Sequence, residues 1–345
     1  MKIKTALIGY GLGGRCFHAP FIHASPHFEL KAVLQRHGDQ AAADYPGIRI
    51  YRDMETLLQD EELQLVVITT PNHTHFPLGM QVLQAGKMLV IDKPLTITST
   101  EARSLIDTAA SNNCLLSVYQ SRRYASDART IEKLVKEQKL GKIHEMEAHY
   151  DRYRPQARDS WKETSIPGSG ILFDLGPHLI DQALYLFGLP EYIYADIRQQ
   201  RAHAITDDYF DIRLYFPGGC CATLKAGMMV REPGPRYLLH GDKGSFIKWG
   251  DDPQDAALRA GLRPTDDSWG REPADSYGLL HTEWQGKIIR EKIPSKQGHF
   301  GLYYENLYQH IAAGGPLKEK PEHGYNAVRI IELARESSRK QCRIA

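Results

Sequence analysis

Short, densely apolar runs punctuate the first third of the chain. Ala6-Leu7-Ile8, Leu30-Lys31-Ala32-Val33-Leu34, Leu65-Val66-Val67-Ile68 and Met88-Leu89-Val90-Ile91 carry few polar residues, as strands covered on both faces of a parallel sheet must. Between them lie helical patterns at about 53–59, 74–85 and 99–112, the last opening with a Ser99 cap signal and Glu101-Ala102 in its first turn. This alternation predicts a doubly wound parallel sheet.

After Leu116-Ser117-Val118-Tyr119 the periodicity changes. One helical stretch over 128–138 ends before Gly141, and the runs 143–150, 192–198, 210–216, 222–228 and 237–240 then alternate apolar with polar residues. Turns such as Pro217-Gly218-Gly219 and Gly241-Asp242-Lys243-Gly244 join them, which predicts an antiparallel or mixed sheet with one polar face. Residues 250–276 read as a long loop, and helical patterns return at 301–313 and 322–339. The expected architecture is therefore an α/β domain over 1–120 followed by an α+β domain over 121–345, the second built on a large open mixed or antiparallel sheet.

Composition narrows the functional classes. With 345 residues, 42% hydrophobic and 25% charged, the chain reads as a folded protein of two domains. Forty-three Lys and Arg against 42 Asp and Glu give a net charge of +1, which argues against nucleic acid and against an anionic membrane surface, and favours a small-molecule partner. No long uncharged apolar run is present, so a cytoplasmic location is expected. The five cysteines form no C-x-x-C pair and are read as reduced thiols with no catalytic or metal duty.

Gly9-Tyr10-Gly11-Leu12-Gly13-Gly14 holds G-x-G-x-x-G directly after the first strand. Gly9 would allow a tight turn, Gly11 a close backbone approach to a pyrophosphate, and Gly14 tight helix-to-strand packing. Helix N-terminal amides would then face the phosphates. A plain glycine turn is the alternative. The second strand ends Leu34-Gln35-Arg36-His37, without the Asp or Glu that holds a free ribose 2′-hydroxyl. A guanidinium there can fork onto a 2′-phosphate, so NADP is favoured over NAD, unless Arg36 is only a solvated surface arginine.

Thr70-Pro71-Asn72 and Asp92-Lys93-Pro94 follow the fourth and fifth strands, on the sheet edge where an open α/β fold binds ligands. There the Lys93 ammonium can meet a substrate oxygen, although an exposed loop lysine is an equal reading. In the second domain Asp174 and His178 stand four apart in a helical pattern that begins near Gly168-Ser169-Gly170, with Asp181 on the same side. A carboxylate so placed can orient an imidazole or hold a substrate hydroxyl, and a first-turn Asp beside a core histidine is the alternative. A zinc site would want further Cys or His at ligand spacing, so no metal is expected.

Taken together, Gly9-x-Gly11-x-x-Gly14, Thr70-Pro71-Asn72, Asp92-Lys93-Pro94 and Asp174-x-x-x-His178 resemble the glucose-fructose oxidoreductase, inositol dehydrogenase and rhizopine-catabolism (Gfo/Idh/MocA) family across essentially the whole chain. Further stretches, among them Arg122-Arg123, Arg152-Tyr153-Arg154-Pro155, Asp208-Tyr209-Phe210 and Asp267-Ser268-Trp269-Gly270, resemble its NADP-dependent scyllo-inositol dehydrogenase branch. The resemblance implies an N-terminal Rossmann domain and a C-terminal domain whose open sheet buries one face in a homo-dimer or homo-tetramer. It implies that Lys93, Asp174 and His178 form the catalytic group. It also implies that Gly9, Gly11, Leu12, Gly14, Gln35, Arg36, Thr70, Pro71, Asn72, His75 and Lys93 contact the cofactor. Arg122, Arg123, Tyr150, Arg152 and Tyr153 could line a hydroxyl-rich pocket, with Arg122, Arg123 and Tyr153 joining the catalytic group in binding substrate, although Tyr and Arg on a sheet are often plain packing or solvated surface. Three positions depart from the pattern. Asp92 stands where the family usually has Glu, Ser121 where the branch often has Asn, and Pro177 inside the expected helix, where it should kink the chain or mark a late helix start.

The sequence thus predicts an NADP-dependent dehydrogenase or reductase that acts on a CH–OH group of a cyclic polyol or sugar. His178, with an ordinary pKa of about 6.5, would exchange the proton while Lys93 stabilises the oxygen. A sensor or regulatory protein that binds NAD(P) on the same fold without turnover is the rival reading.

Overall fold

The computed structural model describes residues 2–265 and 267–345. Its helices, numbered in chain order, are α1 (Ala19–Ala24), α2 (Gln40–Asp44), α3 (Met54–Gln59), α4 (His75–Gln84), α5 (Ser99–Ser111), α6 (Ser126–Lys136), α7 (Ile171–Phe187), α8 (Pro253–Arg259), α9 (Leu302–Ala313) and α10 (Pro321–Lys340). The chain divides into two compact units. The first comprises 1–121, 254–269 and 299–328; the second comprises 122–253, 270–298 and 329–345.

In the first unit β1 (Ile3–Ile8), β2 (Phe28–Leu34), β3 (Arg49–Tyr51), β4 (Leu65–Ile68), β5 (Met88–Asp92) and β6 (Leu116–Tyr119) form one parallel sheet in the order β3-β2-β1-β4-β5-β6. The order in which the chain adds strands reverses at β1, from β2 and β3 on one side to β4, β5 and β6 on the other, and such a switch point is where these sheets open a ligand crevice. Both faces of the sheet are covered: Val66, Ile68, Leu89 and Ile91 are wholly buried in one cluster with Val82 and Leu83 of α4 and Leu105 of α5, and the alternate residues Leu7, Val33, Val67 and Val90 are wholly buried too. That burial explains why the strands read as continuous apolar runs.

α5 is capped one residue earlier than its sequence suggested. The Thr98 hydroxyl accepts from the Glu101 N–H, and the Glu101 carboxylate accepts from the Thr98 N–H. This reciprocal capping box excludes Ser99 as the N-cap. A second difference lies further down the chain, where 254–269 and 299–328 return to the first unit although the sequence pattern leaves them in the second domain. Aromatic burial draws them in. Tyr303 and Tyr304 of α9 pack around Tyr119 and His18, and the Tyr303 hydroxyl donates to Ser117 Oγ at 2.8 Å.

In the second unit β7 (Ile143–Asp151), β8 (Tyr192–Arg198), β9 (Tyr209–Tyr215), β10 (Cys221–Gly227), β11 (Tyr237–Gly241), β12 (Gly244–Lys248), β13 (Gly278–Trp284) and β14 (Lys287–Ile293) form a sheet in the order β14-β13-β12-β11-β7-β10-β9-β8. Only the β7–β10 pair is parallel, so the sheet is mixed, as the alternating runs predicted. Ala222, Leu224 and Ala226 of β10 are wholly buried, and α7 packs on β10, β9 and β7. Several elements escape the sequence pattern, β12, β13, β14 and α8 among them. β14 is mostly exposed and charged, which protects a sheet edge but erases its periodicity. α8, which but for Pro253 belongs to the first unit, lies inside the expected loop because Pro253 occupies the first helical turn, where its missing N–H costs nothing.

Candidate active site

At the end of β1 the three motif glycines do distinct things. Gly9 has φ +95° and faces Thr70, whose methyl would lie 2.9 Å from an added Cβ. A Cβ on Gly14 would fall 2.4 Å from the Gly9 carbonyl oxygen, so only glycine lets the helical turn Gly13–His18 approach the strand. A Cβ on Gly11 would meet nothing within 4 Å, leaving the backbone open to an approaching group. These are the tight turn, the close packing and the approach surface a dinucleotide requires, and they fit such a cofactor. Leu12 beside them is exposed.

The loops after β4 and β5 are tied together by a residue inside α4. Thr69 Oγ1 donates to the carbonyl oxygens of Ile8 and Gly9 at 3.2 and 2.9 Å, which joins β4 to the glycine loop. Thr70 Oγ1 lies 2.5 Å from Thr74 Oγ1, and Asn72 is buried behind Pro71. His75 is wholly buried, with Nε2 2.8 Å from the Thr70 carbonyl oxygen and Nδ1 2.8 Å from that of Pro94. A carbonyl oxygen thus faces each ring nitrogen; burial pushes the imidazole below its usual pKa against the opposing pull of the two carbonyls, and the neutral ring donates its one N–H to one of them at a time. His75 links the Thr70-Pro71-Asn72 loop to Lys93-Pro94.

Asp92 accepts from the Lys93 N–H at 2.8 Å through Oδ1, while Oδ2 points to His18 Nε2 at 3.9 Å. His18 is fully buried beneath the Tyr119 ring, with centroids 4.0 Å apart, and Nδ1 lies 2.7 Å from the Tyr304 hydroxyl. Burial holds its pKa down to about 4, so it stands neutral beside the Lys93 loop.

In the second unit Asp174 and His178 lie on one face of α7, which runs through Pro177 from a start at Ile171. The late-start expectation for Pro177 is thus not met: the proline sits within the helix, where the Phe173 carbonyl loses an N–H partner. The start itself is made by a distant residue. Asp207, just before β9, accepts the Leu172 N–H at 2.7 Å through Oδ2, and its carbonyl accepts the Ile171 N–H at 3.0 Å. Gly170, at φ +94°, is needed because a Cβ there would lie 2.3 Å from that carboxylate.

His178 is buried, and the Tyr150 ring stands near edge-on to it at 6.4 Å. Asp174 is half-buried and receives Lys162 Nζ at 2.6 Å on Oδ1, an ion pair that nothing in the spacing of the motif announced. The loop that delivers Lys162 is pinned by the buried Arg201. Its guanidinium pairs with Asp208 at 2.8 Å and Glu163 at 2.9 Å, and donates to the Gln156 carbonyl at 3.3 Å.

Other residues implied to bind substrate have partners within the unit. Arg123 is buried in a bidentate pair with Asp181 at 2.7 and 2.6 Å and stacks on Tyr185. The Tyr153 hydroxyl accepts from Arg231 at 2.6 Å beneath its guanidinium, and Arg122 lends its carbonyl to Gln182. Arg36 is exposed on the loop after β2, whereas the neighbouring Gln35 amide is bonded within that loop.

Comparison with known proteins defines the class. Residues 3–120 match the model described as oxidoreductase family, NAD-binding Rossmann fold, and residues 132–345 match the oxidoreductase family C-terminal alpha/beta domain. The chain belongs to the Gfo/Idh/MocA family and is an NAD(P)-dependent dehydrogenase or reductase. It is 39% identical to the scyllo-inositol 2-dehydrogenase (NADP(+)) IolW of Bacillus subtilis, over 98% of this chain and 94% of the relative. It is 38% identical to the uncharacterized oxidoreductase YdgJ of Escherichia coli, over 96% and 94%. Among solved structures, YvaA of Bacillus subtilis superposes with a TM-score of 0.96 at 39% identity, over 99% of this chain and 98% of that one. An oxidoreductase from Bacteroides fragilis gives 0.93 at 40%, over 100% and 99%. No helix among the described residues is long and apolar enough to cross a membrane.

Proposed function

We propose that the enzyme uses NADP and moves a hydride to or from a secondary alcohol carbon of a cyclic polyol or sugar, of which scyllo-inositol is the model. The observation that carries the cofactor half is Arg36, exposed at the end of β2 where a ribose-binding carboxylate would stand. The similarity to an NADP(+)-dependent scyllo-inositol 2-dehydrogenase supports the substrate half. The bound nicotinamide supplies the hydride chemistry.

The protein's own residues would do the rest. The Lys93 ammonium stabilises negative charge developing on the substrate oxygen, and His178 Nε2 or Nδ1 exchanges the hydroxyl proton. Asp174, held by Lys162, binds a neighbouring hydroxyl or steadies the imidazolium. His75 keeps the Lys93 loop and the Thr70-Pro71-Asn72 loop in register, so that cofactor and lysine are presented together. Association through the open face of the eight-stranded sheet, in the cytoplasm, completes the proposal.

Screening the purified protein with NADP and NADPH against inositols, inososes and aldoses is the test. Turnover is expected with a cyclic polyol and NADP. Tight NADP binding with no turnover on any of these would overturn the substrate half, and equal affinity for NAD and NADP would overturn the cofactor half.

A further inference from the structure

Five residues, Gln35 to Asp39, connect β2 to α2, and they are held unusually firmly for an exposed loop. From within, Gln35 Nε2 donates to the His37 carbonyl at 2.9 Å, and Gln35 Oε1 accepts the Ala41 N–H at 3.2 Å. Gly38 turns the chain with φ +71°. From the side, the Gln35 N–H pairs with the Tyr51 carbonyl at 3.0 Å. Arg52, directly after β3, then reaches across. Its Nη1 donates to the carbonyl oxygens of Gln35 at 2.6 Å and Gly38 at 2.7 Å, and its Nη2 meets the Asp39 carboxylate.

None of these bonds uses the side chains of Arg36 or His37. Both are exposed, and they are the loop residues left to meet a ligand. Arg52, by contrast, has its charge answered by Asp39 and its donors occupied by two carbonyls, so it is a brace rather than another free cation. A short loop containing glycine would otherwise be ordered only when a ligand arrives, and that ordering weakens binding.

We propose that Arg52 is a positioning residue for cofactor selection: by fixing the Gln35–Asp39 loop it presents Arg36 and His37 together to the 2′-phosphate of the dinucleotide. The inference rests on the reading of NADP as cofactor. It also predicts that the brace acts through Arg36, not on the phosphate itself.

Titration of NADP, NAD and 2′,5′-ADP by calorimetry tests it, on wild type, Arg36→Ala, Arg52→Ala, Arg52→Lys and the Arg36→Ala/Arg52→Ala double variant. Arg52→Ala should weaken NADP and 2′,5′-ADP about tenfold and leave NAD within about twofold. Arg52→Lys, which keeps the charge and reaches fewer acceptors, should recover part of the loss. In the double variant the two effects should fall well short of additive, as they must if one residue works through the other. Additive losses, an equal loss of NAD affinity, or undiminished NADP binding in Arg52→Ala would each overturn the proposal while leaving the cofactor reading intact, provided wild type prefers NADP and Arg36→Ala abolishes the preference. If wild type binds both nucleotides equally, the cofactor reading and the brace fall together.

Discussion

Replacing Asp127 with asparagine should raise the stability of the second unit at neutral pH and leave it nearly unchanged at pH 4. Asp127 lies in the first turn of α6 and is almost completely buried. Its carboxyl is pushed up to about 6, first by burial and further by Asp252, while Arg236, Lys248 and the Ala128 N–H oppose the rise. Because the folded-state value stands above the usual 3.8 of the unfolded chain, the folded protein binds this proton more tightly. Stability from this group is therefore greatest below about pH 4 and is lost as pH rises through 6. A difference of about two units, at about 1.4 kcal/mol each, makes the ionised carboxylate a cost of about 3 kcal/mol at pH 7 and above. Asparagine keeps the oxygen that accepts the Ala128 N–H at 2.6 Å and cannot ionise. The stability difference between variant and wild type, followed by urea unfolding from pH 4.5 to 8, should grow from about 1 to about 3 kcal/mol. A pH-independent difference, or an asparagine variant less stable than wild type at pH 7.5, would refute the reasoning.

Lys93→Ala should cut turnover by about two to three orders of magnitude with NADP affinity nearly unchanged, which steady-state kinetics and nucleotide titration measure together. For alcohol oxidation the base must be unprotonated, so the rate should climb with pH through an apparent pKa that disappears in His178→Ala, whose rate falls roughly 100 to 10,000-fold; an unchanged profile in that variant would shift the proton to Lys93. Lys162→Met removes the cation 2.6 Å from Asp174 and should raise KM or lower kcat about tenfold without altering NADP affinity, an outcome that separates it from general unfolding. Arg123→Met strands the buried Asp181 carboxylate and should cost about 3 to 5 kcal/mol of stability by denaturant titration, because the removed partner leaves a charge without water or counter-ion.

Much of this protein is determined locally and is legible in its residues. β1, β2, β4 and β5 are buried on both faces, so their apolar runs announce a parallel sheet, and the spacing of the glycines at 9, 11 and 14 announces the loop, although the Thr69 and Thr70 atoms that Gly9 and Gly14 must clear come from β4's distant end. Arg36 is placed by the same pattern, two residues beyond a strand whose position in the sheet the alternation defines. The residues that set these groups in position are a different matter. Arg52 braces a loop 17 residues upstream, and Asp207 caps a helix 35 residues before it. Lys162 reaches Asp174 from a loop whose next residue, Glu163, is held by Arg201, itself paired with Asp208. Tyr303 and Tyr304 bring the 299–328 segment back to the first unit through ring packing around His18 and Tyr119. Periodicity records which face of an element is buried, but not which distant atom completes a hydrogen bond or ion pair. That pairing exists only after loops close and water leaves, so the tertiary structure alone assigned Arg123 to Asp181, His75 to its two carbonyls and Arg52 to the loop after β2.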